Sequence, residues 1–426
     1  MRRGYRALAD LAYPSALKRY VALLVVQKFF SSVVLYGVVA SLFMVSRGLD
    51  YTEIFTLESV LALVLFLVDI PSSAWADRYD RKWMLVVGHA AAVLSVLVFA
   101  WARPFWVFAV SYALSGVGIA ILSGVESAYV YDLCKAFNGQ EHATRVYARL
   151  NAAEQCATVL SFPLGSWLAT HGYVLAVYAT AAANAAGLLL ILLLPAQRIR
   201  ENQGQESAQG ATNQRSALVS TWNFIVSNPR LLLLAFAGPA VWVVFNGFNY
   251  LNQPLFVRAG LPVHDFGWVM AAGSLAAMAI SFLVGRVNQR FGFMGPIVAS
   301  TLAMSAAFAC MAWTNHLAWI VVAILILNMG ESLRSPLLNS LTNSLVPSEV
   351  RATALSVLTA VGTLLTLILN PVVGYFADHS VAAGLLFSGA LVFLFSFGGL
   401  PFLLRMRGHS ALREMSSDPS GDASAR

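Results

Sequence analysis

The chain has 426 residues, of which 58% are apolar and only 11% charged. Water-soluble domains carry roughly a quarter charged residues, so this composition excludes a self-solvating globule and requires lipid. The net charge of +7 would suit a nucleic-acid surface only if gathered on one, whereas it is dispersed through the segments between apolar blocks.

Arg2, Arg3 and Arg6 precede a short apolar patch broken by Asp10 and Pro14, so no signal peptide is expected and residues 1–19 are read as cytosolic. Beyond them come apolar blocks near the ~20 residues that cross a bilayer as helix, without the ten-residue alternation of a barrel. The first six spans are predicted at 20–46, 54–76, 83–101, 105–133, 150–170 and 174–195. Residues 196–216 are polar and rich in Gln, Ser and Asn, as a solvated linker would be, and Trp222 and Phe224 predict an interfacial helix after it. The second six spans are predicted at 230–257, 266–285, 293–313, 317–342, 352–377 and 381–404. The expected organisation is thus an all-α membrane protein of twelve transmembrane helices as two pseudo-symmetric six-helix bundles, 1–195 and 230–404. A linker at 196–229 joins them, and a basic tail at 405–426 follows.

Charge placement sets the orientation. With both termini cytoplasmic, every Lys and Arg falls in a cytoplasmic segment except Arg47, Arg103 and Arg258 outside and Lys28 and Arg334 within spans. Such an excess is the topological signal of cytoplasmic loops in a multi-pass inner-membrane protein. Cys134, Cys156 and Cys310 lack metal-ligand spacing and are read as packing residues or free thiols.

The halves repeat weakly. Gly48-Leu49 after span 1 matches Gly260-Leu261 after span 7 at an offset of 212, which also carries Asp77-Arg78 onto Gln289-Arg290. With gaps, Glu126-Ser127 matches Glu331-Ser332 at an offset of 205, and Pro163, Trp167 and His171 match Pro371, Tyr375 and His379 at 208. Each match alone is weak; together they favour a duplicated six-helix unit.

The loop after span 2, Ser73-Ala74-Trp75-Ala76-Asp77-Arg78-Tyr79-Asp80-Arg81-Lys82, resembles the G-x-x-x-D-R-x-G-R-K signature of the major facilitator superfamily, with Ser73 and Asp80 at the glycine positions. Asp69-Ile70-Pro71-Ser72 before it, the segment from Val346 to Ser356 and that from Asn370 to Asp378 are similarly familiar. The resemblance covers essentially the whole chain. It implies a transporter whose cavity is lined chiefly by helices 1, 4, 7 and 10. Two positions depart from the proton-coupled exporters of that superfamily. Tyr112 stands where they usually have arginine, and Phe162-Pro163-Leu164-Gly165-Ser166-Trp167 replaces their G-P-x-x-G-G.

Ionisable groups inside a span cost ~2.5–3.5 kcal/mol, so they face a cavity or each other. On span 10, Asn328, Glu331, Ser335, Asn339 and Thr342 share one helical face; on span 7, Trp242, Asn246, Asn249 and Gln253 do. Tyr112, Ser115, Ser123 and Glu126 share a face of span 4, and Lys28 sits beside Ser31 and Ser32 on span 1. The candidates for solute binding or proton coupling are Lys28, Glu126, Asn246, Asn249, Glu331 and Arg334, with Glu126 and Glu331 expected to face one another across the cavity. Structural pairing, Lys28 with Glu126 and Arg334 with Glu331, is the competing reading of the charged four. Glu58 and Asp69 stand behind these as deeper carboxylates, and Asp132 and Glu154 are expected nearer solvent. Asp69, Asp77, Arg78, Arg81, Lys82, Arg290 and Arg351 are expected to form a cytoplasmic gate, with Asp77 near the first turn of span 11.

Neither H-E-x-x-H nor G-x-S-x-G occurs, so no enzyme, metal or cofactor is predicted. The predicted function is a secondary active transporter, an exporter of a small solute by alternating access. Import and a sensing role without transport are the alternatives. The partners expected are the solute, protons if transport is coupled, and the bilayer, with the protein a monomer and nucleic acid excluded.

Overall fold

The computed structural model describes residues 15–76, 78–196, 229–346 and 351–397, and the regular structure among them is helical. The linker, the expected interfacial helix at Trp222 and Phe224, the basic tail and Asp77 lie outside the described residues.

Span 1 is not the continuous helix expected. It divides into α1 (Ser15–Ser31), a 3-10 stretch (Leu35–Val39) and α2 (Ala40–Ser46). A broken helix frees backbone groups that lipid cannot satisfy, and here neighbouring side chains satisfy them. The Val34 N–H donates to Ser161 Oγ (3.2 Å) and the Leu35 N–H to Thr180 Oγ1 (2.9 Å). The Asn184 amide nitrogen, turned toward the break, donates to the carbonyls of Phe30 (3.1 Å) and Val33 (3.2 Å). Gly165 is required opposite, because a Cβ there would sit 1.9 Å from the Leu35 carbonyl oxygen.

The first half continues with α3 (Tyr51–Ala76), α4 (Arg81–Trp101), α5 (Phe105–Ala136), α6 (Ala143–Ala169) and α7 (Tyr173–Leu192). The second half comprises α8 (Pro229–Arg258), α9 (Val263–Ser281), the short α10 (Val284–Phe291), α11 (Met294–Trp313), α12 (Leu317–Leu345), α13 (Arg351–His379) and α14 (Val381–Phe397). Among the described residues, nine spans are long and apolar enough to cross a bilayer, with Leu17–Ser46 of the broken span 1 counted as one. The α6 helix, which carries Arg145, Arg149 and Glu154, and the α8 helix fall outside that set, and α14 is described over 17 residues only.

The same packing occurs in both halves. In the first, α4 packs on α5 and α7, α3 on α5 and α1 on α7; in the second, α11 packs on α12 and α14, α9 on α12 and α8 on α14. The halves meet where α3 packs on α13 and α6 on α9. Local chemistry repeats as well. Gly48 and Gly260 end α2 and α8 with φ of 96° and 73°, a backbone region open to glycine. The following N–H groups close equivalent turns, Leu49 to the Met44 carbonyl (3.2 Å) and Leu261 to that of Phe256 (3.0 Å). Trp167 lies against His171 at 5.1 Å and Tyr375 against His379 at 4.7 Å, one pair at the end of α6 and one at the end of α13.

Candidate functional site

A cavity of about 320 Å³ lies between the halves. From the first half it is lined by Tyr36 and Gly37 of the 3-10 stretch, Glu58 of α3, Phe99 of α4, and Tyr112 and Ser115 of α5. Asn246, Asn249 and Tyr250 of α8 and Met270 of α9 supply the opposite wall. The break in span 1 places Tyr36 and Gly37 there, and helical phase turns Asn246, Asn249 and Tyr250 inward together.

One hydrogen-bonded chain crosses this cavity. The Tyr250 hydroxyl donates to Glu58 Oε1 and stands 3.0 Å from the Tyr112 hydroxyl oxygen, so a group of the second half is held between two groups of the first. Aromatic rings surround it. Centroids are 4.8 Å apart for Tyr36 and Phe99, 6.4 Å for Phe99 and Tyr112, and 6.0 Å for Phe55 and Tyr250.

Beside Glu58, the Ser59 hydroxyl donates to the Thr366 carbonyl of α13 (3.1 Å), and further side-chain hydrogen bonds join the halves toward the α2, α8 and α13 C-termini. Gln253 Oε1 accepts from the Ser41 N–H (2.9 Å) and hydroxyl (2.8 Å), while its Nε2 donates to the Gly37 carbonyl (3.0 Å). Asp378 accepts from the N–H groups of Tyr51 (2.6 Å) and Thr52 (3.0 Å) at the start of α3. The Ser166 hydroxyl donates to the His264 carbonyl (3.0 Å). Gln253 lies one helical turn beyond Asn249, Ser166 one turn beyond Phe162 and Thr52 more than a turn from Glu58, while the Gly37 carbonyl that Gln253 holds belongs to the cavity wall. The bonds of Gln253, Asp378 and Ser166 form a far-side seal opposite the Arg78–Lys82 end of the molecule.

The other charged residues of the spans occupy separate places. Lys28 Nζ lies 3.0 Å from Glu126 and 3.3 Å from Glu154, so Glu154, expected near solvent, completes a cluster of two carboxylates around one ammonium. Glu331 and Arg334 pair at 3.4 Å inside the second half, where Arg334 Nη2 also donates to the Ala237 carbonyl (2.5 Å). Neither Glu126 nor Glu331 belongs to the cavity lining, so the structure does not bring them face to face across it. Of the expected solute residues the cavity takes only Asn246 and Asn249. It adds Glu58, which sequence reasoning placed second, and Tyr250, which it missed although Tyr250 follows Asn246 by one helical turn.

The described gate residues bind within their own half. Arg81 pairs with Asp132 and donates to the Ala128 carbonyl (3.2 Å), and Lys82 Nζ donates to the Leu192 carbonyl (2.9 Å). Asp69 accepts from the Ser123 hydroxyl at 3.4 Å, Arg78 is exposed, and Arg290 lies 5.4 Å from the Phe291 ring. Asp77 and the side chain of Arg351 fall outside the described residues.

The sequence profile of the Major Facilitator Superfamily matches residues 21–366. The chain belongs to the Major Facilitator Superfamily. It is a multi-pass membrane transporter. The class B tetracycline resistance protein of Escherichia coli is 22% identical over 293 residues, covering 66% of this chain and 68% of that protein. The multidrug resistance protein MdtH of Yersinia pestis (strain Pestoides F) is 25% identical over 283 residues, 65% of this chain and 66% of its own. In three dimensions the superfamily transporter is similar to the nucleoside transporter NupG, with a TM-score of 0.75 at 15% identity over 89% of this chain and 99% of that one. That likeness speaks for the fold alone.

Proposed function

We propose that this superfamily transporter is a secondary active exporter that crosses the cytoplasmic membrane twelve times, as two six-helix bundles of residues 1–195 and 230–404, with both termini in the cytosol. The observation that carries the reading is a polar cavity whose walls come from both halves, sealed on one side by hydrogen bonds between those halves. Alternating access needs such a site, because a solute bound by both halves moves from one face to the other as they rock about it.

Orientation and direction draw on separate support. Arg78, Arg81 and Lys82 mark their end of the bundle as cytoplasmic by the excess of basic residues there. Ser123 and Ser127 of α5 and Asn339 and Ser340 of α12 are exposed toward that end, which fits a form open to the cytosol. Export agrees with the tetracycline and multidrug resistance named for two curated relatives. The Arg81–Asp132 and Lys82–Leu192 contacts favour a loop that braces the first half, to which the gating role proposed for Asp77 and Arg351 would add.

The test is solute accumulation in inside-out vesicles containing the protein, with a mixed panel of small solutes, with and without an imposed proton gradient. Protein-dependent accumulation is expected. Movement only from right-side-out vesicles inward would replace export with import, and the absence of any protein-dependent flux or counterflow would overturn transport.

A further inference from the structure

Glu58 is the one charged side chain among the described walls of the cavity, and no Lys, Arg or His shares them. A carboxylate withdrawn from water is costly without a cationic partner. Its described partner is a neutral one, the Tyr250 hydroxyl of the opposite half. The walls around it suit a cation. The rings of Tyr36, Phe99 and Tyr112 line the cavity and carry quadrupoles that attract a positive group, while Ser115, Asn246 and Asn249 offer hydrogen bonds without adding charge. A cavity of about 320 Å³ takes a small organic molecule. An anion there would meet Glu58 with repulsion and no compensating cation.

Resting on the transporter reading above, we propose that the cavity recognises an organic monocation, whose charged nitrogen takes Glu58 from the Tyr250 hydroxyl and thereby releases one of the bonds that hold the two halves together. The displaced hydroxyl is not orphaned, since the Tyr112 oxygen already stands 3.0 Å away. Loss of the bond to Glu58 weakens the contact between α3 and α8 beside the far-side seal. Filling the site therefore favours opening on that side, the direction of export.

The experiment measures binding to the full-length protein in lipid nanodiscs, using 1-methyl-4-phenylpyridinium as cation, 4-methylbiphenyl as neutral isostere and biphenyl-4-carboxylate as anion. The cation should bind at least about tenfold more tightly than the neutral isostere, and Glu58→Gln should abolish that preference. Glu58→Asp should keep it, which preserves the test if the Gln variant fails to fold. Tyr250→Phe, which removes the competing donor, should tighten cation binding by about threefold. Equal binding of cation and neutral isostere, or a cation preference intact in a folded Glu58→Gln variant, overturns the proposal. In proteoliposomes, flux of the neutral or anionic solute without the cation overturns the cation site and leaves transport standing, whereas flux of none of the three overturns the cation site, and transport falls with it only when the mixed panel above is silent as well.

Discussion

Ser41 and Gln253 are 212 positions apart, the offset that relates the end of span 1 to the end of span 7, and they hydrogen-bond to each other. Equivalent points of the two repeats thus meet on the line that separates the halves. Gln253 is fully buried, and besides Ser41 it holds the Gly37 carbonyl of the 3-10 stretch. One amide therefore both satisfies the break in span 1 and closes the far side of the cavity.

Gln253→Leu should remove these bonds while keeping the volume, taking this partner from the fully buried Ser41 N–H and from the half-buried Gly37 carbonyl. The cost should be about 1–3 kcal/mol, borne by the sealed form. In a background without native cysteines, Asn249→Cys should react faster with an impermeant maleimide added from the far side when Gln253→Leu is present. An unchanged rate would show that the seal does not depend on this residue.

The all-helical, multi-span character was legible because lipid imposes simple demands. Spans near 20 residues long and the Gly48 and Gly260 terminations follow from bilayer thickness and from backbone that needs positive φ. The break in span 1 was not legible, since Ser161, Thr180 and Asn184, which satisfy it, lie more than 100 residues away in sequence. The site was half legible for a related reason. Helical phase finds Asn246 and Asn249 because polar residues on one face stand out, but it ranks Glu58 low, because α3 offers no polar stripe around it. Glu58 becomes part of a site only when α8 brings Tyr250 to it, and that is tertiary information. Lys28 and Glu126 were readable as a pair from their similar depth; Glu154 joins them because α6 packs against α1.

Asp378 at the end of α13 caps the start of α3, accepting from the Tyr51 and Thr52 N–H groups and from the Thr52 hydroxyl (2.5 Å). A helix N-terminus favours a carboxylate through its free N–H groups and partial positive charge, and this cap comes from the other half of the chain. Asp378→Ala should weaken it by about 0.5–2 kcal/mol and shift the population toward a form open on that side. Spin labels at Ser46 and Asn315, both exposed at that end, should show a larger long-distance fraction in the variant. Identical distance distributions would assign Asp378 a role confined to α3.

Glu331 and Arg334 are nearly fully buried, with side-chain exposures of 9% and 2%. Removing one member of such a pair strands the other, so Arg334→Met should destabilise the protein by about 3–5 kcal/mol. Glu331→Leu with Arg334→Met removes both charges and should recover most of that loss. Thermal unfolding of the three proteins in one detergent checks the order. If Arg334→Met melts with the parent protein, the pair does not stabilise the second half. If the double variant folds but no longer transports, Glu331 or Arg334 takes part in transport from outside the described cavity.

Lys28 is the positive centre of a cluster with two carboxylates, at side-chain exposures of 18% for Lys28, 29% for Glu126 and 44% for Glu154. These intermediate exposures place the cluster between a solvent-screened pair, worth about 0.5 kcal/mol, and a dry one, whose breaking costs about 3–5 kcal/mol. Lys28→Met should be the most damaging single change, because it leaves Glu126 and Glu154 facing each other without a cation. Glu154→Gln should cost least, since Glu154 is the most exposed and its removal leaves Lys28 paired with Glu126. Combining Lys28→Met with Glu126→Gln should restore stability, because only one carboxylate then remains and it is the better hydrated. Thermal unfolding gives this order, and transport against pH in Glu126→Gln separates bracing from proton handling. A structural brace predicts a lower melting temperature with an unchanged pH profile, whereas a flattened or displaced profile in a stable variant would make Glu126 a proton-coupling residue.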